Sequence, residues 1–288
     1  MLKRLVLGLL LLGALGGVAL ADDQPADPAA PDGVPPASRW PKGVIDRPLT
    51  LPAGLGLVGA DLVLSTTPGT TGTEFAVLPD LALGYGVTDD LEISTLTATY
   101  GFRASPRGTL KGNLDVGIGY KLLRGALDGK LEVVARAIVG YDIDGESFRP
   151  LRIGVQAEYN ATPKFAILSH DTGALPVGGN AGIVIGLDNP AGMSTAAKPV
   201  YLTLPIGVAY QATPELWIEA DTVLASSIKI SNAPNQSIAD VTPAFLTGIY
   251  NTMEGHLDLF GYAGFYDLQH ASDSYSFGVG FRYYPGKL

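Results

Sequence analysis

Two short runs of this 288-residue chain carry the residue types of acyl-transfer chemistry. Ser169-His170-Asp171 holds all three members of a hydrolytic triad. Adjacent residues of an extended chain point to opposite faces, so Ser169 and His170 would not meet. His270-Ala271-Ser272 puts a base and a nucleophile two apart on one face, but within a polar run before the last apolar segment. A chance triplet in a loop is the better reading. Other chemistry is sparse. No histidine has metal-ligand company. Leu187–Pro190, "LDNP", offers one Asp and one Asn, too few oxygens for calcium. No phosphate loop is present. The sequence therefore points away from an enzyme and implies no cofactor.

A more ordered set of reactive groups recurs at every second position of apolar segments. Its members are Asp61, Asp80, Glu92, Lys111, Asp115, Lys121, Glu132, Arg136, Arg152, Glu158, Glu219, Asp221, Asp258 and Arg282. They comprise nine acids and five bases. Such groups set ion selectivity when they are hydrated in a pore, and seal it when they pair across it. Nine against five cannot pair completely, so hydrated charge and a mild preference for cations are expected. The plainer alternative is that several sit solvated at the rims.

The elements that must carry them have period two. In Asn113–Leu122, "NLDVGIGYKL", Leu114, Val116, Ile118, Tyr120 and Leu122 alternate with Asp115, Gly117, Gly119 and Lys121. In Ser274–Tyr284, Tyr275, Phe277, Val279, Phe281 and Tyr283 alternate with Ser276, Gly278, Gly280 and Arg282. This is the signature of strands with one apolar face. Helices are disfavoured because glycine recurs within the segments, at about 1 kcal/mol each inside a helix. Twelve such strands are expected, over 54–65, 75–87, 91–102, 109–122, 130–142, 150–161, 165–172, 200–211, 216–226, 241–251, 256–266 and 274–285. Connections after the even strands are mostly short, and those after the odd strands are usually longer. The longest, Gly173–Pro199, has an apolar middle at Ile183–Leu187. It either folds inward to narrow a pore or extends its two strands as a ribbon.

Short turns at one end and long loops at the other fit a closed antiparallel transmembrane barrel. The polar face consists mostly of small residues, and charged residues make up only 16% of the chain, against about 25% in soluble domains. Twelve strands leave a lumen, whereas about eight close on a filled core. The alternative is a soluble all-β fold with its apolar face buried. Four hairpins repeat one pattern, at Tyr85–Ile93, Tyr159–Ile167, Tyr210–Ile218 and Tyr250–Leu259. Tyr85, Tyr159, Tyr210 and Tyr250 would form an aromatic girdle at one membrane interface.

The N-terminal region reads as export machinery. Lys3 and Arg4, an apolar run and Ala19-Leu20-Ala21 match a cleavable signal over residues 1–21. Its removal takes the net charge from -9 to -11 by deleting two bases. Acidity argues against a nucleic-acid partner. Residues 22–47 are rich in Pro, Ala and Asp and read as a flexible periplasmic lead-in. The barrel is expected over 48–288. There is no cysteine, hence no disulfide to reinforce it.

The tyrosine hairpins, the aromatic closing strand and "DRPLTLPAG" at Asp46–Gly54 resemble the porin-like outer-membrane β-barrel proteins of Gram-negative bacteria. The resemblance spans about 48–284 and concerns architecture. It implies an outer-membrane location after signal cleavage. The implied partners are outer-membrane lipid, the outer-membrane assembly machinery, and small solutes or ions. Members commonly end on an aromatic residue, whereas this chain runs on through "PGKL". Three functions follow: a passive channel for small hydrophilic solutes or ions, a non-conducting structural or adhesive barrel, and, more remotely, a lipid-modifying enzyme. A twelve-stranded outer-membrane phospholipase family uses a His-x-Ser triplet, but its following polar residues are not matched by "DSYS".

Overall fold

The alternating segments fold as strands β1 (Gly56–Gly69), β2 (Gly72–Gly86), β3 (Leu91–Arg103), β4 (Leu110–Gly125), β5 (Leu131–Asp142), β6 (Ser147–Phe148), β7 (Leu151–Thr162) and β8 (Phe165–Leu168). These are followed by β9 (Ala181–Ile185), β10 (Val200–Thr203), β11 (Pro205–Gln211), β12 (Leu216–Val223), β13 (Ile228–Lys229), β14 (Ala244–Thr252), β15 (Leu257–Phe265) and β16 (Tyr275–Tyr283). The computed structural model describes residues 40–69, 72–103, 110–142, 147–148, 151–169, 181–185, 200–223, 228–229, 244–265, 268 and 275–286. The signal segment 1–21, residues 22–39, His170-Asp171, Leu187–Pro190 and His270–Ser272 lie outside them.

All pairings are antiparallel, and β1 pairs with β16 as well as β2, which closes the sheet. Closure pairs every wall strand on both sides, as lipid requires. Sixteen segments occupy twelve wall positions, because four strands are interrupted. β6 leads into β7, β8 and β9 both pair with β7, β10 leads into β11, and β13 continues β12. Ile183–Ile185, the start of the apolar middle of the long connection, belongs to the wall as β9, paired with Leu151–Ile153. The described part of that connection is therefore ribbon and does not fold inward.

Large apolar side chains point outward. Leu64 is 51% exposed, Leu81 53% and Val279 64%, whereas Asp115, Glu219 and Asp258 on the other face are at most 1% exposed. Among the described residues, no helix is long and apolar enough to cross a membrane. This is the closed antiparallel barrel that the alternation implied, with its apolar face outside.

The repeated turn has a mechanism. The threonine three residues after each of three tyrosines accepts two backbone N–H groups. Asp90 N and Leu91 N donate to Thr88 Oγ1 at 3.2 and 3.0 Å. Lys164 N and Phe165 N donate to Thr162 Oγ1 at 3.2 and 3.0 Å. Glu215 N and Leu216 N donate to Thr213 Oγ1 at 3.2 and 3.1 Å. Local hydroxyl bonds of this kind favour turns over continued strand. The fourth hairpin has Met253 there, and turns instead through left-handed backbone at Met253, Glu254 and Gly255, with φ of 53°, 54° and 101°.

Candidate functional site: the interior of the short-turn end

The described end of the lead-in, Trp40–Arg47, does not hang free. Together with residues 48–55 it crosses the barrel mouth at the short-turn end as a strap. Trp40, Val44, Ile45, Arg47, Thr50, Leu51 and Leu55 are all buried. The lead-in expected to be flexible up to residue 47 is thus packed from residue 40 onward. The reason is composition: "WPKGVID" brings a tryptophan and two adjacent aliphatics together, where the Pro/Ala/Asp-rich part has Val34 alone. Burying them offsets the entropy of ordering the chain.

Wall glycines make room for the strap. A Cβ at Gly86 would stand 2.0 Å from the Pro52 carbonyl oxygen. The Gly86 backbone instead accepts from Gly54 N at 2.8 Å and donates to Leu55 O at 2.9 Å.

The strap is held by the interior polar groups. Arg47 grips Asp258 with both ends of its guanidinium, Nη1 to Oδ2 at 2.6 Å and Nη2 to Oδ1 at 3.0 Å. Asn251 Nδ2 and the Tyr284 hydroxyl also donate to this carboxylate, at 2.7 and 3.1 Å. The guanidinium lies 5.2 Å from the Trp40 ring centroid and 5.3 Å from that of Tyr284, within cation–π range. Tyr284 follows β16 at the rim, and burial together with the Asp258 carboxylate pushes its hydroxyl up to about 12.

Further along, Leu51 N donates to Glu92 Oε2 at 2.8 Å and Leu49 N to Glu132 Oε1 at 2.9 Å. Arg136 bridges wall and strap: its Nη1 meets Glu92 Oε1 at 2.5 Å, its Nη2 donates to Leu49 O at 3.1 Å, and its Nε donates to Gln156 Oε1. Lys121 pairs with Glu132 at 3.1 Å, and Arg152 with Asp115. Gln211 Oε1 accepts from Ile45 N at 3.2 Å, and Asn160 Nδ2 donates to Ile45 O at 3.1 Å. At the outer rim, Lys42 meets Glu215 at 3.0 Å. Each hydrogen-bonds the other, which holds the Glu215 carboxyl below its ordinary range and the Lys42 ammonium above its own.

The interior has two sides. Val44 and Ile45 pack with Ala166, Leu168, Ala209, Trp217, Ile249 and Phe260 in a dry cluster against β8, β11, β12, β14 and β15, which Ala82 of β2 also joins. Trp217 Nε1 donates to Glu219 Oε2 at 3.0 Å there. Opposite, between the strap and β4, β5 and β7, a cavity of about 420 Å³ is lined by Arg47, Lys121, Arg124, Lys130, Glu132 and Glu158, among others.

The barrel interior brings together Asp61, Glu92, Asp115, Lys121, Arg136, Glu158, Glu219, Asp221 and Asp258, all buried, with Asp80, Glu132, Arg152 and Arg282 partly buried. The Lys111 side chain lies outside the described residues. Tyr85, Tyr210 and Tyr250 are exposed on the outer surface at the short-turn end, and Tyr159 is half-buried. Tyr120 and Tyr283 stand exposed in the same band, directly opposite Leu91 and Leu257. Sequence reasoning passed over Arg47, Gln156, Gln211, Trp217 and Asn251. Trp217 was legible, since it shares its face with Glu219 and Asp221.

No protein-family profile matches the chain, and no curated protein does. Among solved structures, an outer-membrane channel of Pseudomonas putida F1 is similar at 15% identity and a TM-score of 0.51, covering 82% of this chain and 97% of its own. The KdgM porin, solved in complex with a disordered oligogalacturonate, gives 10% identity, coverage of 78% and 98%, and a TM-score of 0.47. The CymD monoaromatic hydrocarbon channel gives 10%, 82% and 89%, and 0.40. The chain has the architecture of a porin-like outer-membrane β-barrel.

Proposed function

We propose that this protein is a passive outer-membrane channel for small hydrophilic solutes or ions, with a mild preference for cations. One observation carries the reading: the closed wall turns its apolar face outward and gathers its ionisable groups within. Among the described side chains, nine interior wall carboxylates face four wall bases and Arg47 of the strap. That negative excess favours cations in a confined lumen. The strap narrows the periplasmic mouth, and the route runs along the β4–β5–β7 side through the 420 Å³ cavity. Outside, the tyrosine band sits at the lipid interface. The signal segment directs export, and the assembly machinery inserts the mature barrel into the outer membrane.

The dry cluster around Trp217 supports a second reading, a plugged structural or adhesive barrel, because it fills one side of the interior. Conductance of the refolded mature protein in a planar bilayer under a salt gradient separates the two. Stable steps with a cation-selective reversal potential are expected. A correctly folded barrel that passes no current would reject the channel.

A further inference from the structure

The 420 Å³ cavity beside the strap is walled by charges of both signs, which arrive on different elements. The β4–β5 hairpin brings three bases, Lys121 and Arg124 from β4 and Lys130 just before β5. Facing them, the strap brings Asp46 and β7 brings Glu158.

Most charged groups of the lining are already bonded within the protein. Lys121 pairs with Glu132, which also accepts from Leu49 N. Asp89 Oδ1 accepts from Ala53 N at 3.1 Å, and Arg124 meets Asp90 Oδ1 at 2.7 Å. Arg47 is committed to Asp258. Asp46 and Lys130 differ. Both are exposed, and neither side chain is bonded to another described residue. They line one cavity yet form no ion pair with each other.

The backbone holds these two charges apart. Asp46 closes a 3-10 turn over Val44–Asp46, and the Val44 and Ile45 side chains of that turn are buried in the dry cluster. Lys130 follows the left-handed run Leu127, Asp128 and Gly129, with φ of 54°, 58° and 82°. Its N–H donates to Ala126 O at 3.1 Å, and its carbonyl accepts from Asn160 N at 2.8 Å. One wall therefore presents a carboxylate and the other an ammonium. A simple cation is repelled by the second and a simple anion by the first, whereas a solute carrying both charges satisfies both.

We infer that this cavity binds small zwitterionic solutes, the solute's carboxylate toward Lys130 and Arg124 and its ammonium toward Asp46 and Glu158. Its volume falls in the range of about 300–1,000 Å³ that small-molecule sites occupy. Each end of such a solute can make charge-assisted hydrogen bonds, the strong kind. The site deepens the proposed function by naming a solute class for the route beside the strap, and it rests on that reading.

The test is binding, measured apart from conduction. The refolded mature chain in detergent is titrated calorimetrically with glycine, γ-aminobutyrate and ε-aminocaproate, which set the two charges increasingly far apart. Butyrate and butylammonium serve as one-ended controls. Saturable binding is expected for at least one zwitterion, about tenfold tighter than for either control, because each control lacks one charged hydrogen-bonding end. Lys130→Gln and Asp46→Asn should each weaken it about threefold, since exposed charges contribute modestly. Both side chains are exposed, so neither variant threatens the fold. A control that binds as tightly as the zwitterions, binding that either variant retains in full, or no saturable binding across the series overturns the site. Planar-bilayer conductance separates the two readings. A barrel that binds a zwitterion but passes no current loses the channel reading and keeps the site. One that conducts without binding loses only the site.

Discussion

The two sides of the short-turn interior grow from the same alternating pattern and end differently. Against β12 and β14, the inward positions include Trp217 and Ile249, and the strap adds Val44 and Ile45. Against β4, β5 and β7, the inward positions include Asp115, Lys121, Glu132, Arg136 and Glu158. The first side packs dry against the strap's aliphatics, while polar groups on both sides hold its backbone. The second pairs its charges and keeps a cavity. A barrel interior is thus not committed to being a filled core or a wet pore throughout. One short segment decides the matter locally by the side toward which it turns its aliphatics.

The sharpest way to break this contrast is at Arg47. Arg47→Ala leaves Asp258 buried without its main partner, and removing one member of a buried pair costs about 3–5 kcal/mol. The strap should detach, lowering the thermal midpoint and raising single-channel conductance several-fold. Unchanged conductance with a lowered midpoint would place the strap off the conducting route.

The dry side is tested by Trp217→Ala, which removes a fully buried ring and the donor to Glu219. Truncations of this size cost about 3–5 kcal/mol. Equilibrium unfolding in urea should record that loss while cation selectivity stays unchanged. A changed selectivity would mean that the dry side also faces the route.

The wet side should answer in the opposite way. Neutralising Glu158 and Asp115 as Glu158→Gln and Asp115→Asn should move the reversal potential in a salt gradient toward zero, with little change in stability for Glu158→Gln. A selectivity that survives both changes would assign it elsewhere in the barrel.

Smaller effects belong to the turns. Thr162→Val removes a hydroxyl that accepts two N–H groups, a loss of about 1 kcal/mol by the usual worth of such bonds. Met253→Thr should do little, because that hairpin turns through left-handed backbone.

The smallest effect is at the Lys42–Glu215 pair on the rim. The lowered Glu215 carboxyl contributes stability above the ordinary carboxylate range and loses it as pH falls through the lowered value. The raised Lys42 ammonium contributes below the ordinary ammonium range and loses it as pH rises through the raised value. Protease protection of the strap should therefore weaken slightly at both pH extremes, and Glu215→Gln should flatten that dependence.

Much of this molecule follows from the chain alone. Period two placed Leu114, Val116 and Ile118 on one face and Asp115, Gly117 and Gly119 on the other, because a strand has no other way to orient them. Repeated short polar turns implied a meander, and twelve segments with one apolar face implied closure. The tertiary structure decided the rest. Arg47 and Asp258 are 211 residues apart in sequence, and nothing local announces that they meet. That Val44 and Ile45 lie inside the mouth depends on Gln211 and Asn160, from distant strands, which bond the Ile45 backbone, and on wall glycines that leave room. The strap was hidden because it shares the prolines of the segment before it, and only the assembled interior supplies the partners that make ordering it favourable.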